Sequence, residues 1–176
     1  MEDEVKVDIP EKITVEIKED HVSVKGALGT NTRKFNQHLM TLKKDSNSIV
    51  IEPAPEKHLN EKASNAAKAV AKEIRNDMKG VEEYYEIKMQ TVFEHFPITV
   101  EIKPGIVNIK NMLGERDLRK AAIIGTTKIE TKEQTLRIYG TSLDDVKQTA
   151  LNIRSACKIR HRDDRTFQDG IYYALE

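Results

Sequence analysis

The sequence predicts an α+β protein built from two tandem duplicated units, each an antiparallel sheet covered by one helix. Three observations lead there. Ile13-Thr14-Val15-Glu16-Ile17-Lys18 recurs letter for letter at Ile98-Thr99-Val100-Glu101-Ile102-Lys103. Both copies alternate apolar and polar residues, the two-residue period of a strand with one buried face. Each copy is followed, further on, by one segment with helical apolar spacing.

The elements follow in order. The offset of the hexamer also carries Val22, Val24, Lys25, Leu28 and Gly29 onto Val107, Ile109, Lys110, Leu113 and Gly114, so each unit opens with a β-hairpin. After a two-residue insertion, Leu42, Ile49 and Ile51 match Ile129, Leu136 and Ile138. These define a second hairpin per unit, turning at Asp45-Ser46-Asn47 and at Lys132-Glu133-Gln134. A helix closes each unit, with apolar stripes Ala63, Ala67, Val70, Ile74 and Val146, Ala150, Ile153, Cys157, both at i, i+4, i+7, i+11. Ser142 with Asp145 three residues on resembles a capping box, while Pro53-Ala54-Pro55 and Gly80 punctuate the first helix. The aromatic and β-forming segment from Tyr84 to Phe96 is too apolar for a flexible linker and reads as a strand feeding the first sheet. The division expected is residues 1–92 for the first unit and 93–176 for the second, the latter ending in a C-terminal tail.

Composition narrows the class without choosing a function. The 29 basic and 29 acidic residues cancel, so a global basic footprint is absent and partners must be argued from local charge. Through Gln90 the chain carries 15 basic and 17 acidic residues, and beyond it 14 and 12, which puts the positive balance in the second half. No apolar run approaches the roughly 20 residues of a spanning helix, and Met1-Glu2-Asp3-Glu4 is the reverse of a basic leader. A soluble protein of the cytoplasm, with no membrane partner, is expected. The single cysteine, Cys157, excludes an internal disulfide and a cysteine-based zinc cluster. Trp is absent and aromatics are 5%, which argues against an extensive base-stacking platform.

Candidates for chemistry are few. Cys157 occupies the stripe position equivalent to Ile74, which favours a buried structural thiol over a nucleophile. The histidines, at 21, 38, 58, 95 and 161, do not pair at metal-ligand spacing. Asp144-Asp145 fit a helix first turn, where carboxylates oppose the positive dipole end. His161 with Asp163-Asp164 is the most enzyme-like cluster, yet adjacent carboxylates converge only in a turn, and a solvated turn is the simpler reading. No phosphate-cradling glycine loop exists. The expectation is no enzyme activity, no catalytic residue, no metal and no cofactor.

What remains is basic clustering after the midpoint. Arg116, Arg119 and Lys120 follow the second copy's first hairpin, and Lys158, Arg160, Arg162 and Arg165 follow the last helix. Five of the seven are arginines, whose planar fork suits phosphate. The interleaved Asp117, Asp163 and Asp164 point to a shaped contact rather than a polycationic tail.

Gly80-Val81, Tyr85-Glu86-Ile87-Lys88-Met89, Val92-Phe93-Glu94-His95-Phe96-Pro97-Ile98, Leu113-Gly114-Glu115 with Arg119-Lys120, and Arg165-Thr166-Phe167-Gln168-Asp169-Gly170-Ile171-Tyr172 occur in an order that resembles one family. It is the large-subunit ribosomal protein L-six family in its archaeal and eukaryotic form, and the resemblance runs from about Val7 to Tyr172. It implies two similar sheet-and-helix domains and a structural role in the large ribosomal subunit. It also implies contact with large-subunit rRNA near the sarcin-ricin loop, beside the docking site of translational GTPases, chiefly through the second domain. Neighbouring large-subunit ribosomal proteins would be the other partners. The positions matching the family's basic signatures are Arg119, Lys120 and the stretch from Lys158 to Arg165. Lys25-Gly26-Ala27-Leu28-Gly29 and Met112 depart from the family pattern. The alternative function is a protein-interaction module using the exposed sheet face of the first domain.

Overall fold

A computed structural model of the chain describes all residues except 1–3, 19, 46, 55–59, 95, 161–162, 164 and 175–176. It divides into two compact units, Met1–Tyr84 and Tyr85–Glu176. In the first, β1 (Val5–Asp8), β2 (Thr14–Ile17), β3 (His21–Lys25), β4 (Thr30–Lys34), β5 (Met40–Lys44) and β6 (Ser48–Pro53) precede α1 (Asn60–Glu82). The strands form two antiparallel three-stranded sheets, β1-β6-β5 and β2-β3-β4. Helix α1 packs on strands of both.

The second unit repeats the plan with β7 (Tyr85–Val92), β8 (Thr99–Lys103), β9 (Ile106–Lys110), β10 (Arg119–Ala122), β11 (Lys128–Lys132), β12 (Thr135–Gly140) and α2 (Leu143–Ala156), and adds β13 (Gly170–Tyr173). Its sheets run β11-β12-β7-β13 and β10-β9-β8. The expected single sheet per unit is thus two small sheets sharing one helix. A lone helix has only one apolar stripe, and splitting the strands lets that stripe cover the inner faces of both layers.

The duplication is exact to the residue in register. Val15 faces Val24 and Ile17 faces Val22 in one copy, while Val100 faces Ile109 and Ile102 faces Val107 in the other. Val15 is buried and Val100 packs against the second core, so the same side of each hairpin turns inward, as a shared period of two requires.

The segment from Tyr84 to Phe96 does not feed the first sheet. Its strand, β7, pairs with β12 and β13 inside the second unit, and the boundary falls at Tyr84/Tyr85 rather than after residue 92. The reason is that β7 is the second copy of β1. Val5 pairs with Ile51 and Val7 with Ile49, just as Ile87 pairs with Ile138 and Met89 with Leu136.

Both cores are aliphatic and tightly closed. Ile49, Ile51 and Ile74 in the first unit, and Ile138, Ala150 and Ile153 in the second, are fully buried, each large side chain contributing about 1.5–3 kcal/mol. The first stripe runs through Ala63, Ala67, Ala71, Ile74 and Met78, with Val70 at its margin. Gly80 does not end α1, which continues to Glu82. There Leu28 N–H donates to the Val81 carbonyl at 3.1 Å, satisfying one of the end carbonyls that a helix cannot pair itself. Gly26 permits that approach, because a Cβ there would come within 2.6 Å of Val81.

Candidate nucleic-acid interface

The second unit's basic edge is organised around Arg119, the first residue of β10. Its side chain is 19% exposed and makes four hydrogen bonds within the unit. Nη1 donates to the carbonyls of Ala156 and Lys158, each at 3.0 Å. Nε and Nη2 hold Glu115 in a fork at 2.8 and 2.6 Å. The fork raises the guanidinium pKa still further, against a smaller opposing effect of burial. The last carbonyls of α2 need partners, and a cation at a helix C-terminus also suits the dipole. Arg119 is therefore a clasp that binds the start of β10 to the chain leaving α2.

Glu115 is delivered to the clasp by a strained turn. Asn111, Leu113 and Gly114 all have positive φ, at 63°, 51° and 76°, a costly state for Leu. Asn111 is steadied by its side chain, which donates to the Pro97 carbonyl at 3.2 Å. Met112, within the same turn, is fully buried. The Leu-Gly-Glu signature thus has a local cause: an anchored turn that aims one carboxylate at Arg119.

The clasp brings together two of the clusters separated in sequence. Arg116 and Lys120 flank Arg119 and are exposed, and Lys158, whose carbonyl Arg119 holds, is exposed too. Arg160 lies two residues on and is also exposed. Arg165 stands in a separate turn, in which its N–H donates to the Asp163 carboxylate at 3.0 Å. Among the described residues no carboxylate pairs with the side chains of Arg116, Lys120, Lys158, Arg160 or Arg165. Arg162, His161 and Asp164 lie outside the described residues. Arg154 escaped sequence reasoning, although it sits one helical turn before Lys158; its guanidinium lies 5.5 Å from the centre of the Tyr173 ring.

The C-terminal segment is anchored by strand pairing, a buried carboxylate and a buried aliphatic side chain. Ile171 is buried in the core, while Phe167 and Tyr172 stay exposed, the latter with its hydroxyl donating to the Gln168 carbonyl. Strand β13 pairs with β7, and the buried Asp169 accepts from Glu94 N–H at 3.2 Å. In the Asp-Gly-Ile-Tyr run, Asp169 holds a neighbouring loop and Ile171 fills the core. Gly170 leaves room for the Tyr172 ring, which an added Cβ would approach to 3.1 Å.

No family model matches the chain. Among curated proteins it is similar to large ribosomal subunit protein uL6 of Methanobrevibacter smithii, 36% identical with 95% of this chain and 92% of the relative covered. The same protein of Methanosphaera stadtmanae is 40% identical, with 94% and 89% covered. That of Tetrahymena thermophila is 36% identical, with 96% and 92% covered. The chain belongs to the uL6 family of large ribosomal subunit proteins.

Cys157, the Ser142–Asp145 turn and Asp163 of this uL6 family member have structural explanations. Cys157 is buried at the end of the α2 stripe. Burial pushes its thiol up to about 11, against weaker opposing effects of the Ile171 backbone N–H and Arg119, so it is a poor nucleophile. Ser142 caps α2 by accepting from Asp145 N–H at 3.3 Å, and Asp144 and Asp145 occupy the first turn. Asp163 closes a turn, accepting at its carbonyl from Phe167 N–H at 3.0 Å. Among the described residues no group of three or more His, Cys, Asp or Glu could hold a metal ion.

Proposed function

We propose that the protein is a structural component of the large ribosomal subunit that holds large-subunit rRNA along the basic edge of its second unit. The observation that carries the reading is the Arg119 clasp. By fixing β10 to the chain leaving α2, it holds the stretch that carries Arg116 and Lys120 against the one that carries Lys158 and Arg160, all four exposed. Cations held on a fixed frame lose less entropy on meeting phosphates than cations on a free tail, and each displaces condensed counterions. The names of the relatives, all large ribosomal subunit proteins, supply the class of RNA. Arg165, exposed in its separate turn, adds a further cation to the same unit, and Arg119 itself acts as a positioning residue.

The finer reading places the contact near the sarcin-ricin loop, beside the docking site of translational GTPases and against neighbouring large-subunit proteins. Its support is the resemblance carried by Leu113-Gly114-Glu115, Arg119-Lys120 and the Asp169-Gly170-Ile171-Tyr172 run. Co-sedimentation with large subunits, followed by chemical footprinting of the rRNA with and without the protein, tests both levels. Protection confined to the sarcin-ricin region is the expected result. Co-sedimentation with protection elsewhere would remove the finer reading, and failure to co-sediment would remove the function.

A further inference from the structure

A cavity of about 350 Å³ opens beside the C-terminal turn of α2, lined by the helix, the chain that follows it and β13. Its walls combine three kinds of surface. Leu151, 47% exposed, and the half-buried Ile159 are apolar; Arg154 and Lys158 bring two cations; Tyr172 brings an aromatic ring. The ring is 40% exposed yet pinned. Its hydroxyl donates to the Gln168 carbonyl at 3.1 Å, and its phenol end lies over Gly170 in space that a Cβ would fill.

An exposed aromatic held at both its hydroxyl and its ring is a preordered stacking surface, and the cations beside it favour an anionic occupant. The volume lies at the small end of ligand pockets, suited to a single planar group rather than a folded element. We propose that this cavity receives one unstacked ribonucleotide of the bound RNA, its base against Tyr172 and Leu151 and its phosphate against Arg154 and Lys158. Single-stranded bases splayed onto aromatic or arginine planes are the common mode of RNA contact outside duplexes. The inference rests on the RNA-binding reading above and deepens it, because Lys158 belongs both to the basic edge and to the cavity wall. It adds Leu151, Arg154, Ser155 and Tyr172 to the interface.

The test uses the full chain and a large-subunit rRNA fragment containing the sarcin-ricin stem, with affinity measured across a salt series. Tyr172→Leu removes the stacking surface without changing charge. The expected result is on the order of tenfold weaker binding, the loss of one base–aromatic stack, at an unchanged salt slope. Ser155→Phe, placed at an exposed helix position, fills the cavity while leaving every cation and β13 intact, and gives the same loss. It keeps the test decisive if Tyr172→Leu loosens β13. Tyr172→Phe keeps the ring and most of the affinity. Wild-type affinity and slope in both Tyr172→Leu and Ser155→Phe would overturn the nucleotide cavity while leaving the basic edge standing. Occupation of the cavity by an acidic peptide with RNA binding unaffected would assign it to a protein partner and overturn it too. Absence of RNA binding by the wild-type chain would instead remove the reading on which it rests.

Discussion

Replacing Arg119 by Leu separates a clasp from a phosphate ligand. The guanidinium makes two bonds to backbone carbonyls and a fork to Glu115. Bonds involving a charged group contribute about 1.5–3 kcal/mol each where water is excluded. The Lys158 carbonyl lies in an exposed setting and regains water, whereas that of Ala156 is partly buried. Glu115, itself 41% exposed, adds less than about 1 kcal/mol as a surface pair. The loss expected from Arg119→Leu is therefore about 2–3 kcal/mol, enough to lower the melting temperature of a unit this size by roughly 10–20 °C. Arg119→Lys, with its charge kept but its fork gone, loses about half of that. Urea denaturation followed by circular dichroism reads the stability, and RNA titration at several salt concentrations reads the phosphate count. The clasp predicts a large stability loss with little change in salt slope. A stable Arg119→Leu whose salt slope falls by about 0.7–0.9 would refute the argument, for it would make Arg119 a phosphate ligand.

Other consequences follow from the same structure. Ile74→Asp and Ile153→Asp place an unpaired carboxylate in fully buried positions and should each cost more than about 4 kcal/mol; denaturation midpoints shifted by under 1 kcal/mol would contradict the two stripes. Gly26→Ala forces a Cβ onto Val81, backbone carbonyl included, and should destabilise the first unit by about 1–3 kcal/mol, measured by the same denaturation. The Cys157 thiol ionises at about 11 in the folded protein against an ordinary value of 9.0. A folded pKa raised above the unfolded one means this contribution is complete below pH 9 and is lost as pH climbs from there towards 11. Moving the thiol from 9.0 to about 11 corresponds to about 3 kcal/mol. A Cys157→Ala variant should lack that alkaline loss, and identical pH–stability curves for both proteins would exclude it.

Much of the fold was legible because its strands obey a strict period. The repeated hexamer fixed both first hairpins, and the stripes fixed both helices, since a residue buried on one face must recur at the spacing of its element. The equivalence of β1 and β7 was harder to see. Glu4-Val5-Lys6-Val7 does echo Glu86-Ile87-Lys88-Met89, but extra residues before Pro97 shift the offset and hide a four-residue match. Gly80 was misleading because a helix end is set by its tertiary partners, here Leu28 N–H, as much as by a glycine. Within the candidate interface, charge clustering located the edge but could not assign roles. Arg119 and Arg116 look alike in sequence; one reaches two carbonyls across the unit and the other faces solvent. In the C-terminal segment the residue that reaches the core from β13 is the aliphatic Ile171, while Tyr172 and Tyr173 beside it stay exposed.

The central claim is that RNA is held by the second unit's basic edge, and a comparison of salt slopes tests it most directly. Charge reversal at Lys158 and Arg160 together should lower the slope for the sarcin-ricin fragment by roughly 1.4–1.8, the share of two phosphate contacts, with folding unchanged because both side chains are exposed. The matched control is Lys62 and Lys72, exposed on α1 of the first unit. Lys43 and Lys44 serve less well, since one pairs with Glu52 and the other donates to the Val15 carbonyl. Reversal at Lys62 and Lys72 should leave affinity and slope at wild-type values. Equal affinity and equal slope in the two double variants would contradict the assignment of the RNA surface to the second unit.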